Sequence, residues 1–145
     1  MPAELTAKAA AGLGITVHHQ RMDNGELRFR LCCTDGSSYI RTEAGAESGW
    51  QNSHIHHVVH ELNVVQSGTV VLVEGTPEHA SVRVCRSEES YTSPLGLPHN
   101  CYFLPGTVVH TVKFGGVPGG SDWTAYPPLD PYCRSLDLPA LLAAH

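Results

Sequence analysis

The hydrophobic and polar positions alternate in short runs separated by turn residues, which is the pattern of strands with one buried face. Gly14–Arg21 and Glu26–Cys33 flank Asp23-Asn24-Gly25, a strong hairpin turn. Ser38–Thr42 follows the turn at Asp35-Gly36. A histidine-rich segment comes next, then strands at Glu61–Gln66, at Thr69–Glu74 after Ser67-Gly68, and at Ala80–Cys85. A Ser/Pro-rich loop around Tyr91–His99 leads to Cys101–Leu104 and Val108–Phe114, and Asp122–Tyr126 is a last expected strand. Ala3–Ala11 is Ala-rich and reads as a short helix stopped by Gly12 and Gly14. Pro127, Pro128 and Pro131 precede a second short helix at Leu138–Ala144, while Gly115–Gly120 reads as a flexible loop. Many short strands with turns every eight to twelve residues predict an all-β antiparallel sandwich or barrel. No internal repeat or linker interrupts residues 1–145, so one domain is expected.

Charge narrows the partners. The formal net charge is -5, and the arginines are scattered rather than clustered along one stretch. Nucleic acid is therefore not expected as a partner. No apolar run approaches membrane-spanning length, and Met1-Pro2-Ala3-Glu4-Leu5 lacks the regions of a signal peptide, so a cytoplasmic location is expected. The five cysteines include no CxxC pair and read as reduced thiols.

Chemistry concentrates in the histidines. Four lie within seven residues at His54, His56, His57 and His60, and His110 follows Pro105-Gly106. Neutral imidazole is the commonest protein ligand for a mid-row transition metal. A His-x-His pair on a strand points both rings to one face. A metal centre is the natural reading. The bland alternative is a surface histidine cluster, and His18, His19, His79, His99 and His145 are expected to be ordinary surface residues. Trp50, Tyr102, Phe103 and Trp123 are expected mainly as packing residues.

The spacing Gly49-x4-His54-x-His56-x4-Glu61-x6-Gly68 resembles the first motif of the cupin superfamily, and Leu104-Pro105-Gly106-x3-His110 resembles the second more loosely. The second has three residues, rather than two, between glycine and histidine. The resemblance implies a cupin-type double-stranded β-helix, a jelly-roll barrel whose inward histidines and one acid converge on a divalent metal. The fourth donor is open between His60 and Glu61. Strand phase groups His60 with Leu62, Val64 and Gln66, and Glu61 with Asn63 and Val65, but a turn or bulge after His56 could reset it. The set adopted as the expectation is His54, His56, His60 and His110, with Glu61 and, more weakly, His57 as catalytic acid–base residues. No other cofactor is expected. Zinc is the favoured metal, with iron(II), nickel, cobalt or manganese as alternatives.

In size and motif placement the chain is similar to small single-domain aromatic polyketide cyclases of the resistomycin type. That resemblance implies intramolecular aldol closure of a poly-β-ketone in an apolar pocket, lined by Leu62, Val64, Val108 and Val112, as part of antibiotic biosynthesis. Three alternatives stand beside it: a non-haem iron dioxygenase, a metal-dependent isomerase and a non-catalytic small-molecule binder. By analogy with cupins, a homodimer is expected.

Overall fold

The computed structural model describes residues 4–47, 49–118 and 121–145. Ala3, at the start of the expected first helix, and Gly119-Gly120, at the end of the expected glycine loop, lie outside them.

Eleven strands among the described residues form two antiparallel sheets. They are β1 (Ile15–Arg21), β2 (Leu27–Cys33), β3 (Ser38–Glu43), β4 (His54–Ile55), β5 (His60–Ser67), β6 (Thr69–Glu74), β7 (Ser81–Arg86), β8 (Ser90–Ser93), β9 (His99–Phe103), β10 (Val108–Phe114) and β11 (Thr124–Ala125). One sheet runs β1-β2-β3-β10-β5-β8 and the other β11-β4-β9-β6-β7. Short helices α1 (Ala7–Gly12), α2 (Asp130–Ser135) and α3 (Leu138–Ala144) flank them. The fold is the all-β, cupin-type jelly roll. Two elements differ from expectation. Part of the Ser/Pro-rich loop forms β8, which pairs with β5, and α2 occupies the proline-rich stretch before α3. Asp130 and Pro131 open α2, where a missing N–H costs nothing.

The turn from β5 into β6 depends on Gly68. Its φ of +88° favours glycine, and an added Cβ would lie 2.6 Å from the Thr107 Cα. The space it leaves lets the Thr107 hydroxyl accept from the Thr69 N–H at 3.0 Å. That contact joins the β5–β6 turn to the one before β10.

The core between the sheets gathers Ala44, Val65, Val70, Leu72, Cys85, Tyr91, Cys101, Phe103 and Val109. Every residue of β6 is buried, because a second cluster covers its other face: Val73 packs with Leu129 and Cys133 from the C-terminal segment. All five cysteines are free thiols.

Inward and outward faces on the larger sheet are the reverse of a simple hydrophobic-in rule. Glu61, Asn63 and Val65 of β5 and Val109, Thr111 and Lys113 of β10 have the inward phase. Leu62, Val64, Val112 and Phe114 have the outward phase and are each at least 40% exposed. The polar part of this inward face lines a cavity beside the apolar core.

Candidate metal centre

His54 on β4 and His99 on β9 are direct cross-strand partners, so their rings meet with centroids 4.3 Å apart. The chain then leaves the sheet. The Asp122 carboxylate accepts the backbone N–H groups of His57, Val58 and Val59, at 3.0, 2.7 and 2.7 Å. This turn resets the strand phase. It lets His56 and Glu61, an odd number of residues apart, approach each other: the His56 Nε2 meets a Glu61 carboxylate oxygen. One potential ligand atom from each of His54, His56, Glu61 and His99 lies within 4.8 Å of all the others.

The imidazole tautomers fit a cation. The Nδ1 of His54 donates to the Asn52 carbonyl at 2.7 Å, that of His99 to the Leu97 carbonyl at 3.3 Å, and that of His56 to the Asp122 carbonyl. A carbonyl only accepts, so each Nδ1 carries the proton and each Nε2 offers a lone pair. The buried His56 Nε2 makes no well-directed hydrogen bond.

The electrostatics agree. Burial, reinforced by the charge of His99, holds His54 neutral with a pKa lowered to about 3. Burial also lowers that of His99. At Glu61 burial opposes ionisation, but the close His56 imidazole and the Lys113 charge outweigh it and pull the pKa to about 2. At His56 burial opposes protonation, but Glu61 outweighs it and raises the pKa. Without a metal the two form an ion pair. A divalent cation bound by these residues would take the place of that proton. Three imidazoles and one carboxylate suit a divalent transition metal.

The candidate donors brought together differ from the expected set at two positions: Glu61 and His99 join His54 and His56, whereas His60 and His110 lie elsewhere. His60 is exposed and stacks on Phe114 at 5.3 Å. Both ring nitrogens of His110 are engaged: Nε2 donates to the Gln66 Oε1 at 2.5 Å, and Nδ1 accepts from the Tyr39 hydroxyl at 2.6 Å. No lone pair remains for a metal. His57, the weaker acid–base candidate, is exposed and lines neither described cavity. His99, expected at the surface, is 2% exposed. Its signal was Gly96-x2-His99, which has the two-residue spacing that Gly106-x3-His110 lacks.

A cavity of about 320 Å³ is lined by His54, Glu61 and His99, while His56 lines a neighbouring one. The lining of the first mixes polar and apolar groups, with Met22, Ile40, Phe103 and Trp123 among the latter. Arg28, Arg30, Lys113, Gln51, Asn52 and Asn63 contribute to its wall. Leu62, Val64 and Val112, expected to line it, point outward, and the buried Val108 is not among its lining residues. Lys113 was out of phase with His110, and that is why it points inward. Trp123, expected as packing, is half exposed, stacks on His54 at 5.5 Å and lines the cavity.

Fold and site together define a cupin-fold protein with a candidate His/Glu centre for a divalent metal. Among solved structures, the chain is similar to KdgF from Halomonas sp., with a TM-score of 0.56 and 14% identity over 68% of this chain and 86% of that one. An oxalate oxidase structure gives a TM-score of 0.56 and 22% identity over 89% of this chain and 69% of that one. Oxalate decarboxylase from Bacillus subtilis gives 0.57 and 14% over 88% of this chain and 34% of that one. No protein-family profile and no curated protein sequence matches.

Proposed function

We propose that the protein is a metal-dependent enzyme acting on an enolisable, oxygen-rich carbonyl substrate, and that its reaction is aldol-type ring closure of a poly-β-ketone. The observation that carries the reading is the convergence of three imidazoles and one carboxylate, of which His54, Glu61 and His99 line a cavity of mixed polar and apolar character. Zinc held there would polarise a carbonyl oxygen and make its neighbouring methylene more acidic.

The chain's own groups supply the rest. Alternating ketone oxygens are acceptors, and the Arg28, Arg30, Gln51, Asn52 and Asn63 side chains around the cavity carry donors. Holding a tethered chain folded brings its two reacting carbons together, a large part of the barrier in a ring closure. Glu61 is the one carboxylate among the described lining residues, so it is either a ligand or the base that removes the methylene proton. The homodimer expected from the resemblance belongs to this proposal. It would give twice the 15.6 kDa chain mass on light scattering and would cover the exposed Leu62, Val64, Val112 and Phe114.

The cationic lining favours a second reading, a metal-dependent isomerase of a small polar substrate, which shares the enolisation step. Elemental mass spectrometry on protein purified without added metal, followed by incubation with poly-β-ketone, tests the first. Near-stoichiometric zinc and the absorbance of an aromatic product support cyclisation. Zinc without turnover of the poly-β-ketone, but with turnover of a ketose or aldose, moves the assignment to the isomerase. Stoichiometric iron or manganese with substrate-dependent oxygen uptake overturns both. In the Glu61→Gln variant, lost metal marks Glu61 as a ligand, whereas retained metal with lost turnover marks it as the base.

A further inference from the structure

The charges that line the cavity do not cancel. Arg28 is paired: its guanidinium donates to Glu26 at 3.1 Å, and the fully buried Glu26 also accepts from Gln51 and Asn24. Lys113 faces Glu61, with Nζ 3.6 Å from the carboxylate. Arg30 has no carboxylate within ion-pair distance among the described residues. Its two terminal nitrogens donate only to neutral atoms, the Gln20 Oε1 at 2.9 Å and the Met22 sulfur at 3.7 Å. Burial and the nearby Arg28 charge both lower its pKa, so the cation is held against an unfavourable field. A guanidinium has five donors in a planar fork, and these two bonds leave part of the fork open.

Position gives this surplus charge a meaning. Arg30 lies on β2 opposite Ile40 of β3, which lies opposite Thr111 of β10, which lies opposite Asn63 of β5. Glu61 is two residues along β5 from Asn63, on the same face. Arg30 and Asn63 thus sit three strand spacings apart, roughly 14 Å across the sheet at about 4.8 Å per strand, with Glu61 a further two residues along β5. Arg30 and Glu61 nonetheless line the same cavity.

We propose that Arg30 receives a carboxylate group of the substrate, fixing its far end while a carbonyl at the other end reaches the metal centre. The ligand class is a small oxygen-rich carboxylate, and Arg30 is a specificity-determining residue. The planar fork matches a carboxylate with two parallel hydrogen bonds. The inference rests on the proposed function only in taking this cavity as the substrate site.

The test uses the full chain loaded with zinc, with malonate as the probe and malonamide as its neutral counterpart, read by titration calorimetry. Malonate affinity is expected to fall at least tenfold in Arg30→Gln, with bound zinc and malonamide affinity unchanged. Arg30→Lys keeps the charge but loses the fork, so its affinity should fall between the two. It also serves if Arg30→Gln does not fold. Direct chelation of zinc by malonate is common to all variants and cancels in the comparison. Equal malonate affinity in wild type and both variants overturns the proposal, as does malonamide binding as tightly as malonate. The same comparison on metal-free protein separates the two ideas. Failure to bind any metal sinks the proposed function, whereas an Arg30-dependent preference for malonate there still supports the carboxylate site.

Discussion

A carboxylate with no exposed surface needs every oxygen lone pair answered, and Glu26 shows how the cavity wall meets that need. Its oxygens accept from Arg28, Gln51 and Asn24 at 2.9–3.1 Å. Glu26→Ala leaves the Arg28 cation half-buried without a counter-charge. A fully buried pair broken in this way costs ~3–5 kcal/mol. Because Arg28 keeps some exposure, a loss at the lower end is expected, measured by urea unfolding; a change within 0.5 kcal/mol, about that of an ordinary surface substitution, would contradict the account. At the same scale, the metal donors were only partly readable from the chain. His54 and His56 were marked by their spacing and their approach to each other. Glu61 was left open against His60, because the Asp122-bound turn that resets the phase is made by a residue 61 positions later in the chain than Glu61. His99 was passed over, because alternation assigns polar residues to the surface, and part of this interior is polar.

Among the elements, the hairpins were legible because their turns carry the residues a tight reversal needs, and β10 keeps the range Val108–Phe114 that alternation predicts. What alternation cannot reveal is which phase faces inward, since the inward face mixes Glu61, Asn63 and Lys113 with Val65 and Val109 while Leu62, Val64 and Val112 face outward. β8 was hidden because its Ser-Tyr-Thr-Ser sequence is held by pairing with β5 and by one buried tyrosine. Two predictions belong here. The Asp122 carboxylate, although its slight burial opposes ionisation, is lowered to about 2 by the three N–H groups it accepts. A depressed pKa adds stability that is complete above the unfolded value, near 4, and is lost as pH falls through about 2. The His57–Val59 turn should therefore loosen across that acid window, and Asp122→Ala should loosen it at neutral pH. Amide exchange at these three residues measures both, and unchanged protection in the variant would refute the role given to Asp122. The second concerns the C-terminal cover. Leu129 has no exposed surface and packs on Val73. Leu129→Ala should cost ~2–5 kcal/mol, read as a lower urea midpoint; a loss well under 1 kcal/mol would mean that the segment contributes little to covering β6.

For the molecule as a whole, the candidate ligands come from both sheets: His54 and His99 from one, Glu61 from the other, with His56 on the turn between them. A bound cation would therefore tie the two layers together. Metal present at a hundredfold over its dissociation constant stabilises the folded state by ~2.7 kcal/mol. For a chain of this length that corresponds to a rise in Tm of about 5–10 °C, which a chelator should reverse. No helix among the described residues is long and apolar enough to cross a membrane.

The central claim is that the metal is held by His54, His56, Glu61 and His99, and not by His110. Zinc titration of His99→Ala beside His110→Ala, with bound metal counted by elemental mass spectrometry, tests it most directly. The account predicts at least a tenfold loss of affinity in His99→Ala and wild-type affinity in His110→Ala. Retained zinc in His99→Ala together with lost zinc in His110→Ala would contradict it.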